Sequence, residues 1–231
     1  MKVLFLLIQL IFILPLFYQN QNKKQVDSLL SVSYSKFVGF QFAESSKLAN
    51  EASRLSSSNH YSEGMVKSNL YIAKVLVETG MDKNALSYLN KNYDEAYYKT
   101  DIVSQIETAR LMGRIYGSLD FNELALQQFR IQLALSDELT DEKKRNLFKL
   151  WAYQNLEDIF VALEKTDSVD KYLLLQKKQL EAFREDEVFN ELSILYANKA
   201  GTLIRKGDYI AANDLLNKSI LFLDKYQSPY R

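Results

Sequence analysis

No proline occurs between Pro15 and Pro229. Proline removes a backbone donor and collides with the preceding turn of a helix, so so long a gap suits uninterrupted helices. A chain rich in β-turns would not avoid proline in this way. No strand-like alternation runs along the sequence, and neither Asn-Gly nor Asp-Gly occurs. Apolar residues recur instead at helical spacing. Leu70, Ala73, Leu76 and Val77 mark one such face, and Leu111, Ile115 and Leu119 another.

Composition narrows the chemistry. With 231 residues, 47% of them hydrophobic, the chain can bury a core without staples. It has no cysteine, which excludes disulfides, thiolate metal sites, iron–sulfur clusters and cysteine nucleophiles. Its one histidine, His60, excludes a histidine-rich metal site and any relay needing two imidazoles. Basic and acidic residues balance at 29 each, which argues against gripping nucleic acid by charge. No metal and no cofactor are expected.

Residues 1–20, MKVLFLLIQLIFILPLFYQN, form a segment of their own. Lys2 supplies a positive start, and Val3 to Tyr18 is apolar apart from Gln9 and Pro15. The order of charge and apolar run matches a secretory signal sequence. A short membrane anchor is the alternative, although a spanning helix needs about 20 apolar residues. Leu16-Phe17-Tyr18 offers no small residues for cleavage, and no cysteine follows for lipid attachment. Either way the body, residues 21–231, is expected outside the cytoplasm, in the periplasm or cell envelope. It would touch a membrane only if the first segment stays uncleaved.

The body repeats. A small residue follows each apparent turn, at Ala43, Ala85, Ala125, Val169 and Ala212. These positions lie 40 to 44 residues apart, with an apolar helical pattern before and after each. Asp82, Asp120, Asp167 and Asp208 stand where they could cap the second helix of a hairpin. Gly80 and Gly207 suit a left-handed residue ending the first. About five hairpins account for nearly the whole body.

These residues resemble the tetratricopeptide repeats (TPR). The fifth hairpin carries Tyr196, Ala200, Leu203, Gly207-Asp208-Tyr209, Ala212 and Leu216, and the third carries Gly113, Tyr116, Ala125 and Phe129 on the family's spacing. The fourth offers Tyr153, Leu156, Phe160, Val169 and Leu173; the second offers Ile72, Ala73, Leu76, Gly80, Ala85 and Leu89. The first, around Phe37, Gly39, Phe40 and Ala43, matches least well. The family's period is about 34 residues, so each helix here is expected to be longer by a turn or so. The resemblance implies an all-α fold, a right-handed superhelical array of antiparallel helical hairpins forming an α-solenoid. It also implies that first helices line a concave face holding a peptide or protein partner. Carried over, that face comprises Lys67, Tyr71 and Lys74, then Arg110 and Arg114, then Gln154, Asn155 and Asp158, then Asn198 and Arg205. Its basic members, if they converge, would attract a carboxylate or acidic peptide. The family's chaperone-tail clamp finds no match.

Catalytic signatures are not found. The sequence holds no HExxH, no GxSxG and no glycine-rich phosphate loop. His60 reads as a loop or cap residue before the third helix. Asp141-Glu142 and Asp186-Glu187 read as solvated helix starts rather than acid–base pairs. Lys143-Lys144-Arg145 follows those acids and reads as a solvated face. Tyr93, Tyr97 and Tyr98 are spaced for one helix, as core or as an exposed docking patch. The expected function is therefore a non-enzymatic, exported interaction scaffold. The alternative is the extracytoplasmic sensor half of a bacterial transcriptional regulator or histidine kinase. The last helix lacks a polar cap, which predicts continuation in a longer protein or docking of a second copy as a homodimer.

Overall fold

A computed structural model describes residues 21–226; residues 1–20, on which the signal and anchor readings fall, lie outside the described residues. The proline-free stretch folds into one helix after another. They are α1 (21–38), α2 (Phe42–Ser58), α3 (Ser62–Glu78), α4 (Asp82–Lys91), α5 (Ala96–Thr100) and α6 (Ile102–Ser118). Then follow α7 (Asn122–Asp137), α8 (Glu142–Ala162), α9 (Thr166–Leu180), α10 (Phe189–Arg205) and α11 (Tyr209–Lys225). Single 3-10 turns at Asn92–Asp94 and Glu185–Glu187 interrupt two of the connections. Among the described residues there is no strand, and no helix is long and apolar enough to cross a membrane. Successive helices pack as adjacent pairs: α2 on α3, α3 on α4, α7 on α8, α8 on α9 and α10 on α11.

One closure ends six of the helices. After α1, α2, α3, α6, α8 and α10 the residues Phe40, His60, Gly80, Asp120, Glu164 and Gly207 adopt φ between +50° and +81°. The next N–H then reaches five residues back, as from Met81 to Leu76 O at 2.8 Å and from Phe121 to Tyr116 O at 2.8 Å. These bonds satisfy carbonyls that a helix end otherwise leaves open. His60 is thus a turn residue, as expected of a loop or cap position. Asp208 does cap α11, accepting from Ala211 N at 3.1 Å. Asp120 instead supplies the left-handed turn, while Asp82 and Asp167 lie in the first turns of α4 and α9. Two further caps are Asp141 on α8 and Asp101 at the start of α6.

The repeat register is set by burial. Ala85, Ala125, Val169 and Ala212 are almost fully buried, as a close helix crossing requires. In the first hairpin the buried small residue is Ser45, whereas Ala43 is exposed. Ser45 receives the Ser33 hydroxyl from α1 at 2.9 Å through its carbonyl. The expectation of longer helices holds for most elements but not for α4, which has only 10 residues. There the 3-10 turn and α5 fill out the period. Tyr93 and Tyr98 therefore do not share a helix; their rings meet edge-to-face at 5.2 Å across that connection.

The chain divides into two compact units, 1–115 and 116–231. In the first, Val26, Leu30 and Ala52 pack with Leu55, Tyr61 and Tyr71. In the second, Ala125, Leu126, Phe129, Leu156 and Ile159 form one cluster, and Leu150, Val169, Leu173, Leu180, Val188 and Leu195 form another. Asymmetric crowding marks the first unit. A Cβ on Gly64 would lie 2.3 Å from Ser56 Oγ and 2.6 Å from the Tyr61 ring, so that crossing admits only hydrogen.

Candidate functional site

In the first unit α3 lies between α1 and α6, and the three helices exchange side chains along one surface. Tyr34 of α1 stacks on Tyr71 of α3 with ring centroids 6.0 Å apart. One turn on, Lys74 lies over the same Tyr71 ring at 5.5 Å. Its ammonium is 3.4 Å from Glu107 Oε1 of α6. Arg110 closes on the other oxygen of Glu107, with Nη2 at 2.7 Å and Nε at 3.0 Å. All three side chains of this cluster are 14–16% exposed. Farther along α3, Glu78 receives Arg114 at 2.9 Å. Toward the start of α3, Lys67 pairs with Glu63 at 2.5 Å and approaches the Tyr97 ring at 5.9 Å.

All five residues selected in this unit, Lys67, Tyr71, Lys74, Arg110 and Arg114, therefore meet on one face. Their charges do not stand open, however. Each of the four cations already faces a carboxylate of the same unit. Burial presses the Glu107 carboxyl upward, but Arg110 and Lys74 outweigh it and hold the group down at about 2. Burial also lowers Lys74 against the pull of Glu107. An acidic peptide would have to displace Glu63, Glu78 and Glu107 to reach these cations.

The second unit builds its surface from α8 and α10. Trp151 Nε1 reaches Glu191 Oε1 at 3.3 Å, and Asn198 Nδ2 donates to Glu157 Oε2 at 2.5 Å. Asn155 turns to its own helix, bonding Trp151 O at 2.8 Å, and so does not join that contact. Asp158 and Arg205 are exposed, and Arg205 bonds Thr202 Oγ1 at 3.0 Å. Glu157 is only 2% exposed. Burial, then the neighbouring Asp158, push its carboxyl up to about 7, against hydrogen bonds from Asn198 and Gln176 and the charge of Arg205. Gln154 sits one turn before Asp158 with its buried Nε2 unpartnered among the described residues.

Sequence reasoning missed the acids. Glu63 and Glu107 were visible as i−4 and i−3 partners of Lys67 and Arg110, a spacing that brings side chains together on a helix. Glu78 and Tyr34 come from other helix turns and carried no such signal. Glu157 stands beside Leu156 and close to Ile159, an acid on an apolar stripe. That conflict was its only mark. Lys143 and Lys144 are exposed, as a solvated face requires, with Lys143 paired to Glu187 at 2.9 Å and Arg145 bonded to Leu139 O at 3.0 Å. Among the described residues no group of three His, Asp or Glu could hold a metal ion. The sequence matches no protein-family model and no curated protein.

Proposed function

We propose that this protein is a non-enzymatic interaction scaffold, an exported array of TPR-like helical hairpins that holds a peptide or protein partner. The proposed array is a right-handed superhelix with first helices inward, and the α1–α3–α6 surface is its binding face. One observation carries this reading. Tyr34–Tyr71 stacking and the Lys74–Glu107–Arg110 cluster join α1, α3 and α6 through Tyr71, Lys74 and Arg110, three positions the resemblance assigns to the concave surface. Multipoint docking on such a surface needs no reactive group, only rings, hydrogen-bond partners and a rigid frame. Because the cations are matched internally, the face suits a partner that brings apolar and hydrogen-bonding groups rather than a bare acidic stretch.

The test is capture from cell-envelope extract, comparing the wild-type chain with the triple variant Tyr34→Ala, Lys67→Ala, Arg114→Ala. These side chains reach solvent, unlike Arg110, whose replacement would disturb a buried cluster. A protein held by wild type and lost by a variant of unchanged melting temperature supports the face. Equal capture by both refutes it. The export half of the reading rests on residues 1–20 alone. Fused to a phosphatase that works only outside the cytoplasm, they should confer activity, and an inactive fusion would remove that half.

A further inference from the structure

Glu157, 2% exposed, is the most deeply buried acidic side chain among the described residues. Its surroundings are unlike those of Glu107. Among the described residues no cation pairs with it; Asn198 Nδ2 on α10 donates to it, and Gln176 on α9 is a second amide neighbour that acts on the carboxyl. The charged groups that act on it are Asp158 on its own helix and the exposed Arg205 on α10, while α9 contributes the neutral Gln176. Gln176 is fully buried. Its Nε2 makes one long bond, 3.4 Å to Tyr153 O, and its Oε1 has no partner among the described residues. A buried acceptor with no donor is costly, and it lies in the side chain that already meets Glu157. A half-turn of that amide gives up the long bond to Tyr153 O and turns Oε1 toward Glu157. A protonated Glu157 would then be the missing donor.

We propose that Glu157 is a proton-operated latch joining α8, α9 and α10: neutral, it donates to Gln176 Oε1 and accepts from Asn198; ionised, it is a buried anion bonded by amides with only the exposed Arg205 to offset its charge, and the grip of the α10–α11 hairpin on α8–α9 weakens. The proton exchanges with solvent and no other reactant is needed. Taking a charge out of water without a counter-ion is unfavourable, so the neutral form is the tighter one. The carboxyl position near neutrality places the change in a range that a compartment outside the cytoplasm could sample.

Trp151, the chain's single tryptophan, reports on the α8–α10 junction through its bond to Glu191. The experiment is urea unfolding of the full chain followed by tryptophan fluorescence, with hydrogen exchange of α10–α11 peptides, at pH 5.5 and pH 8.0. Exchange is corrected for its intrinsic pH dependence. Wild type should lose at least tenfold protection in α10–α11 on going to pH 8.0, since each unit of carboxyl shift is a factor of ten. Glu157→Gln should behave alike at both values and exceed wild type at pH 8.0. His60 is present in both proteins, so the difference isolates position 157. Equal protection of wild type at both values, or the same pH dependence in the variant, overturns the latch. Should Glu157→Gln not fold, Asn198→Asp serves: two facing carboxylates must share a proton and move the loss of protection to higher pH. An unmoved transition overturns the proposal equally.

Discussion

The first unit and the second each bury a glutamate between neighbouring first helices, and they treat it in opposite ways. Glu107 is clasped by Lys74 and Arg110, whereas Glu157 is met by the amides of Asn198 and Gln176. In the first case ionisation is what holds the helices together. In the second it is what burial resists. Similar hairpins thus carry buried acids whose charge has opposite consequences, and the sign is set by the neighbours rather than by the fold.

The sharpest way to break that contrast is the same isosteric change in each unit. Glu107→Gln should destabilise the first unit by about 3 kcal/mol, because Lys74 and Arg110 become mostly buried cations without a counter-charge. Glu157→Gln should instead stabilise the second at pH 8. Loss of stability in both, measured by exchange protection of each unit's peptides, would end the contrast. Next in size is packing. Gly64→Ala should cost about 2 kcal/mol, since its methyl meets three neighbours at once. Gly117→Ala in the second unit should cost far less, because only the mobile end of Ile159, 2.9 Å away, must move. Thermal melts of the two variants give the comparison.

The pH slopes should also oppose each other. Glu107 is held below its ordinary value of 4.5, down to about 2, so its contribution is present above pH 4.5 and disappears as pH falls toward 2. Glu157 is raised from 4.5 to about 7, so its contribution is full below pH 4.5 and is lost as pH rises through 7. The second effect should reach on the order of 1–2 kcal/mol once relaxation of the buried site is allowed for. Acid titration of exchange protection should therefore loosen the first unit while the second stays tight. The smallest effect should come from Arg114→Ala. Its pair with Glu78 is about one-third exposed on each side, and its loss should cost no more than about 0.5 kcal/mol in denaturant midpoint.

Helix content was legible in the sequence because proline is missing and apolar residues keep a helical period. The buried register was legible at Ala85, Ala125, Val169 and Ala212, where an alanine or valine follows a turn. It failed at the first hairpin, where the closing residue is Ser45 and its polarity hid a buried role satisfied by Ser33. The candidate face was readable by position on α3 and α6. Its electrostatics were not, because the decisive contacts Lys74–Glu107 and Arg114–Glu78 join residues 33 and 36 positions apart. No local spacing encodes them. Asp120 shows a subtler limit, since the same residue type serves an N-cap and a left-handed turn equally well.

The shared closure of six helix endings has a consequence for how such a chain can grow or shrink. Phenylalanine, histidine, glycine, aspartate and glutamate all occupy the left-handed place, and the two hydrogen bonds that follow are the same each time. The joint asks for a shape rather than for a particular residue. Cutting after Glu164 and rejoining at Asp208 would bring together two ends already formed for each other. A hairpin's length could be excised or duplicated there with an unaltered seam.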